Sequence, residues 1–291
     1  VITVAIPTFN RQKIAVQTVE QLLTFGVPIV VVDQTPGVNE QLASLPIRLM
    51  RLAQPSIPHA MNVALQAATT ELVLFLDDDV IPSAELIDAH LAAHRDERVW
   101  AVVGQILQPG EEPERVVQPA DDLEFRFNSD AAAEVTNVMA GNLSVKRERA
   151  IGVGGFDENF VGVAYRFESD FALRLAAAGG AIRFEPRASI RHLKLATGGL
   201  RSYGDHRTSA SPAHSVGDYY FALHHRRQLY HYVLQRLRRN VFTRFHATHP
   251  WTIPAKLIGE LRGLRMALRL HRGGRRLGMF TPDGGFAKTH P

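Results

Sequence analysis

Residues 71–80 read Glu-Leu-Val-Leu-Phe-Leu-Asp-Asp-Asp-Val, and no other stretch limits so strongly what the chain can fold into. Five apolar residues, Leu72 to Leu76, run without a break into Asp77, Asp78 and Asp79. An apolar run of this length bounded by polar residues predicts a strand buried on both faces, as in a parallel sheet covered by helices. The acids then stand at its carboxyl end, where open α/β sheets bind their ligands. Side chains alternate along an extended chain, so Asp77 and Asp79 can point one way while Asp78 points another. Two carboxylates about 4 Å apart repel by about 4 kcal/mol at an effective dielectric of about 20. A divalent cation turns that repulsion into chelation, and hard oxygen donors suit Mg2+ or Mn2+. The plainer use of such acids is to cap the next helix, opened by Pro82-Ser83. Their position directly after a core strand favours a site.

The flanking sequence supplies the rest of a sheet. Val1 to Ile6 is β-branched and apolar, and Asn10 is a candidate N-cap for a helix running to about Phe25. Pro28 to Asp33 is a second buried strand, Ile47 to Leu52 a third, and Ala60 to Ala68 a helix leading into the fourth strand at Leu72. Strands alternating with helices predict an α/β, doubly wound and mostly parallel sheet with flanking helices. No GxGxxG follows the first strand, which argues against a dinucleotide fold. A helix at Ala84 to His94 and a strand at Val99 to Leu107 follow, then a long excursion over 109–134. Strand character returns from Val135 to Val145, and Gly154-Gly-Phe-Asp157 reads as a tight turn. Phe167 to Ala178 is a helix closed by Gly179-Gly180. Short strands are expected at Ile182 to Phe184 and Ala188 to His192, a mobile loop over 197–217, and a helix from Tyr219 to Leu237.

The chain has no cysteine, hence no disulfide framework and no thiolate chemistry. No apolar run approaches the roughly 20 residues that span a bilayer, and no secretory signal is evident, so a cytoplasmic location is expected. The 33 basic residues only slightly exceed the 29 acidic ones. Their distribution is uneven: from Arg226 to Arg276 Glu260 is the only acid. In a last helix starting at Pro254, Leu257, Leu261, Leu264 and Leu268 form one stripe and Arg262, Arg265, Arg269 and Arg272 another. Packing on the sheet domain is the commoner fate of a leucine stripe. Peripheral attachment to the inner face of an anionic membrane is the alternative use. No recognised nucleic-acid-binding module accompanies the charge.

In order along the chain, Pro7-Thr-Phe-Asn-Arg11, Val31-Val-Asp33, Phe75-Leu-Asp-Asp-Asp79, Gly154-Gly-Phe-Asp-Glu158 and Phe167-Glu-Ser-Asp-Phe-Ala-Leu-Arg-Leu175 resemble the motifs of family 2 glycosyltransferases. Each motif alone is weak, whereas five in order form a specific pattern covering roughly residues 1 to 235. The resemblance implies a GT-A fold and an inverting enzyme that takes a nucleotide-sugar donor with Mn2+ or Mg2+. The acceptor would be a glycan, a lipid-linked molecule or a small molecule. It also implies a catalytic domain over 1–215, with a nucleotide-sugar half to about 107 and an acceptor half beyond. A basic helical region over 216–291 would follow.

The same resemblance assigns roles to side chains. Pro7, Thr8, Asn10, Arg11, Asp33, Asn62, Asp77 and Asp78 would surround the nucleotide, with Asp33 accepting from the base. Asp79 would hold the metal, joined by His192. Glu168 matches the catalytic base, the second acid of a pair whose first member is replaced here by Phe167. Its place in the first turn of a helix favours the ionised form. Asp170, two residues on, cannot share that helical face and is a structural or assisting acid, with Arg174 four residues away as a natural partner.

The pattern is incomplete. Ala60-Met61-Asn62 lacks an arginine usual in the family, which leaves donor identity open. No QxxRW motif is evident near His224-His-Arg-Arg-Gln228, which favours addition of a single sugar over processive synthesis. A sugar nucleotidyltransferase is the rival enzyme, and a non-catalytic nucleotide-sugar or glycan binder is the alternative from another class.

Overall fold

Nine strands form one sheet in a computed structural model, which describes residues 1–116, 126–195, 197–225 and 229–278. The strands are β1 (Ile2–Thr8), β2 (Ile29–Asp33), β3 (Arg48–Arg51), β4 (Leu72–Leu76), β5 (Val80–Pro82), β6 (Val99–Leu107), β7 (Ala133–Glu134), β8 (Asn142–Lys146) and β9 (Ala181–His192). Their order is β3-β2-β1-β4-β8-β6-β9-β5, with β7 also on β9. β3, β2, β1 and β4 are parallel, and β8 inserts antiparallel between β4 and β6. β6 and β9 are parallel to each other, while β5 and β7 run against β9.

β2 and β4 are buried throughout, as continuous apolar strands between two helical layers must be. The chain leaves β1 in one direction toward β2 and returns on its other side as β4. The β1/β4 boundary is therefore a topological switch point, where a crevice opens at the strands' carboxyl ends. Thr8 and Asp77 mark those ends.

The helices are α1 (Gln12–Leu23), α2 (Glu40–Ser44), α3 (Ile57–Ala67), α4 (Leu86–Ala93), α5 (Arg147–Gly152), α6 (Phe167–Ala177), α7 (Val216–His225), α8 (Leu229–Asn240), α9 (Arg244–Thr248) and α10 (Ile253–Arg272). None of the described helices is long and apolar enough to cross a membrane. One apolar cluster lies on each face of the sheet. Phe156 anchors the first, meeting Phe75 of β4 edge-on at 5.5 Å and Phe171 of α6 at 4.4 Å between ring centroids. This aromatic stack fixes α6 against the sheet. Val216, Tyr219, Tyr220 and Phe221 of α7 and Ala267 of α10 belong to the same cluster. Residues on both sides of position 215 thus pack in one cluster, and α7 and α10 share the core of the sheet.

Several expectations are adjusted. The two short strands expected over 182–192 are one strand, β9, whose register against β6 shifts between Gly104 and Gln105. Asn10 does not cap α1: it has φ of 55°, and Arg11 occupies the cap without a side-chain cap bond. The backbone N–H of Asn10 instead donates to Thr35 Oγ1 at 2.8 Å. Helix runs through α7 and α8, but 226–228 between them lie outside the described residues, as do 117–125 of the long excursion and 279–291 of the C-terminal region. Residues 197–217 carry 3-10 turns at Gly199–Tyr203 and Pro212–His214.

Candidate active site

The three acids after β4 diverge as strand alternation requires. Asp78 turns inward, accepting from Thr8 Oγ1 at 2.6 Å and from Arg11 Nη1 at 2.9 Å. Asp77 and Asp79 turn toward His192, at the end of β9. His192 Nε2 lies 3.1 Å from Asp79 Oδ1 and 3.6 Å from Asp77 Oδ2. One donor atom from each of Asp77, Asp79 and His192 falls within a 4.8 Å group able to hold a metal ion. β5 makes this possible: Val80 pairs with His192 across the antiparallel ladder, bringing residues distant in sequence to one point.

The donor set fits a divalent cation. Gln108 Oε1 lies 3.3 Å from His192 Nδ1, so a neutral imidazole with its proton on Nδ1 leaves the Nε2 lone pair facing the two carboxylates. Half-buried Asp77 is pushed up to about 6, first by withdrawal from water and further by the charges of Asp78 and Asp79. Burial also opposes ionisation of Asp79, but the hydrogen bond and charge of His192 and the charge of Arg11 outweigh it and hold Asp79 below the ordinary carboxylate range. His192 is raised by its hydrogen bond to Asp79 and by the charges of both carboxylates. The charges of neighbouring acids contribute to the upward shifts of Asp77 and His192, and a cation between the carboxylates would offset that crowding.

Glu168 stands across the crevice on α6. The backbone N–H of Ala140 donates to its Oε1 at 2.6 Å. On the next residue, a Cβ at Gly141 would lie 2.6 Å from Asp77 Oδ2, so glycine allows the close approach of the acid. Asp77 and Glu168 therefore flank the same dipeptide. Burial and the charge of Asp77 push Glu168 up to about 7, against the opposing pull of Ala140 N–H and Arg166. Arg166, immediately before α6, adopts φ of 73°, a left-handed conformation that costs a non-glycine residue about 1 kcal/mol or more.

Asp170 is two residues along α6 and faces away. It is fully buried, 2.9 Å from Arg174 Nε and 2.7 Å from His225 Nε2, and is also paired with Arg275. Burial alone would raise it, but these partners hold it far below the usual carboxylate range. Its surroundings make it a structural anchor. Asn62 is likewise buried. Its amide donates to Phe156 O at 2.8 Å and Glu158 Oε1 at 3.0 Å and accepts from Phe156 N at 2.8 Å. This side chain, expected beside the nucleotide, fixes the Gly155–Glu158 turn and offers the crevice no free polar group.

Among the residues expected around a nucleotide, Pro7 and Thr8 pair in register with Val32 and Asp33. Asp33 Oδ1 accepts from Thr35 N at 2.9 Å. Its Oδ2 is buried with no hydrogen-bond partner among the described residues. A cleft of about 450 Å³ is lined by residues including Asn10, Arg11, Lys13, Thr197 and Thr35, the residue whose N–H bonds Asp33. The segment after β9 closes over Arg11: Arg11 Nε donates to Thr197 O at 3.1 Å and Gly199 N to Phe9 O at 2.9 Å. Sequence reasoning missed Gln108, Ala140 and Leu195, whose N–H donates to Asp79 Oδ2 at 3.2 Å. No local pattern marks them, because their roles arise from strand pairing.

Known structures share this architecture. S. aureus TarS 1–349, in complex with UDP-GlcNAc, matches with a TM-score of 0.58 at 16% identity over 100% of this chain and 98% of that one. GalNAc-T7 with UDP, GalNAc and Mn2+ matches with a TM-score of 0.55 at 14% identity over 66% of this chain and 43% of that one. The fold is that of the GT-A glycosyltransferases. In sequence, residues 3–150 match the family described as glycosyl transferase family 2. The chain belongs to that family. A curated relative, the pre-mycofactocin glycosyltransferase of Mycobacterium tuberculosis, is 32% identical over 139 residues, covering 46% of this chain and 29% of that protein.

Proposed function

We propose that this chain is an inverting glycosyltransferase that moves a sugar from a nucleoside-diphosphate sugar to an acceptor hydroxyl. The facing arrangement of Glu168 with the Asp77, Asp79 and His192 group across Ala140-Gly141 carries this reading. Asp77, Asp79 and His192 would hold Mg2+ or Mn2+. When bound, such a cation stabilises charge on the diphosphate oxygens as the leaving group departs.

The remaining chemistry belongs to side chains of this chain. Glu168 accepts the acceptor hydroxyl proton as that oxygen bonds to the anomeric carbon. The bond from that carbon to the diphosphate breaks, and its electron pair leaves with the nucleoside diphosphate. Attack from the face opposite the leaving group inverts the anomeric configuration without a covalent intermediate. Arg11, already against Asp78 and Asp79, adds positive charge near the diphosphate. The unpartnered Asp33 Oδ2 suits a base with a ring N–H, such as uracil. TarS and GalNAc-T7 were solved with uridine nucleotides, which supports a uridine donor.

The test is incubation with UDP-, GDP- and dTDP-sugars in Mn2+, followed by detection of nucleoside diphosphate. The reading expects metal-dependent release from one donor class. Binding without release from any donor, with or without candidate acceptors, would favour a non-catalytic binder. Formation of a nucleotide-sugar from a sugar phosphate and a nucleoside triphosphate would favour a nucleotidyltransferase.

A further inference from the structure

The outer face of α10 and the turn before it is not used by the site. α10 packs inward through small residues: a Cβ at Gly259 would lie 2.7 Å from Ser209 O, and one at Gly263 2.0 Å from Ser215 Oγ. Ala267 continues this buried line. Lys256 and Glu260 lie on the same buried side, where Glu260 meets Lys256 Nζ at 2.9 Å, Arg236 Nε at 2.8 Å and the Tyr219 hydroxyl at 2.8 Å.

The helical repeat places two parallel ridges on the opposite side. Leu257 and Leu261 form one, 44% and 59% exposed, with Ile258 at 46% and Trp251 at 71% beside them. Arg262, Arg265 and Arg269, all exposed, form the other. Packing through glycines has thus turned part of the leucine stripe outward. Glu260 is the only acid between Tyr219 and Gly278, and it is enclosed by cations, so α10 and the turn before it contribute only positive charge to this face.

We propose that this face docks onto an anionic lipid bilayer. The aliphatic ridge and Trp251 enter the headgroup boundary, and the arginines extend to lipid phosphates. A second copy of this chain would set arginine against arginine, and a nucleic acid would leave the aliphatic ridge against water. An anionic membrane answers both ridges. The proposal uses no active-site residue, so it stands or falls separately from the transferase reading.

Co-sedimentation with vesicles tests it, comparing phosphatidylcholine alone with vesicles containing roughly a third phosphatidylglycerol. The full chain is expected to bind the anionic vesicles and to be released by salt. Arg265→Glu with Arg269→Glu should weaken binding at least about tenfold. The chain has two tryptophans, so Trp251 can be read separately in Trp251→Phe. Its emission should shift to the blue on anionic vesicles and be quenched by brominated lipid, both effects vanishing in that variant. Circular dichroism of the variants separates lost docking from lost fold. Equal binding to neutral vesicles, an unshifted Trp251, dimerisation through this face, or retention of RNA without vesicle binding would each overturn the proposal.

Discussion

Asp77 and Glu168 bear on adjacent residues of one backbone segment: Glu168 accepts from the Ala140 N–H at 2.6 Å, and Asp77 Oδ2 lies 2.6 Å from where a Cβ on Gly141 would be. A donor-side acid and the proposed base are therefore positioned by the same dipeptide. That dipeptide enters β8, which is hydrogen-bonded to β4, so the spacing is built into the sheet. The elevated position of Glu168 has Asp77 as one of its causes, an electrostatic sign of the same proximity.

The pH dependence of turnover follows from Glu168. A base must be ionised, and its position near 7 means the rate should fall by about tenfold per pH unit well below that value. The same shift has a stability consequence. An acid whose folded pKa is raised above its unfolded value of 4.5 destabilises the fold once ionised, an effect absent below 4.5 and complete above about 7. Glu168→Gln should therefore gain stability relative to the native protein as pH rises through that window. Urea unfolding of both proteins at the two ends of the window checks this, and a pH-independent difference would contradict it.

His192→Ala should lose Mn2+ binding, and Gln108→Ala should weaken it by about tenfold through loss of the imidazole's orientation. Titration calorimetry with Mn2+ measures both. Equal affinity in His192→Ala and the native protein would remove His192 from the cation group.

Asp33→Ala should weaken donor binding by about tenfold or more by removing the acceptor for the base. Thermal stability should change by no more than about 1 kcal/mol, because the variant loses the bond from Thr35 N to Oδ1 but also deletes the unsatisfied Oδ2. Unchanged affinity across a UDP-, GDP- and dTDP-sugar panel would exclude contact with the base.

Phe156→Ala should cost about 3–5 kcal/mol of stability, because it removes the ring that Phe75 and Phe171 pack against. Turnover should fall further than donor affinity, since α6 carries the base while Asp33 lies on the other side of β1. Denaturant unfolding and donor titration on one preparation separate the two effects.

Much of the architecture was legible because it is local. The apolar run Leu72–Leu76 and the acids after it specify a buried strand and the divergence of Asp78 from Asp77 and Asp79, and the structure has both. What the sequence hid depends on distant pairing. Gln108 reaches His192 because β6 and β9 run side by side, and Ala140 reaches Glu168 because β8 inserts between β4 and β6. Asn10 has good capping chemistry, but its N–H is drawn to Thr35 and Arg11 to Asp78, so tertiary bonds override the local preference. On α10, a stripe pattern shows that two faces differ but not which one packs. Gly259 and Gly263 decided that by allowing the closest approach.

The most direct measurement is nucleoside-diphosphate release by Glu168→Gln, with donor binding followed on the same sample in Mn2+. The amide keeps an oxygen for the Ala140 N–H but cannot take a proton from the acceptor. Release about a hundredfold or more below the native rate, with donor affinity retained, is the predicted result. Native-like release from this variant would contradict the account.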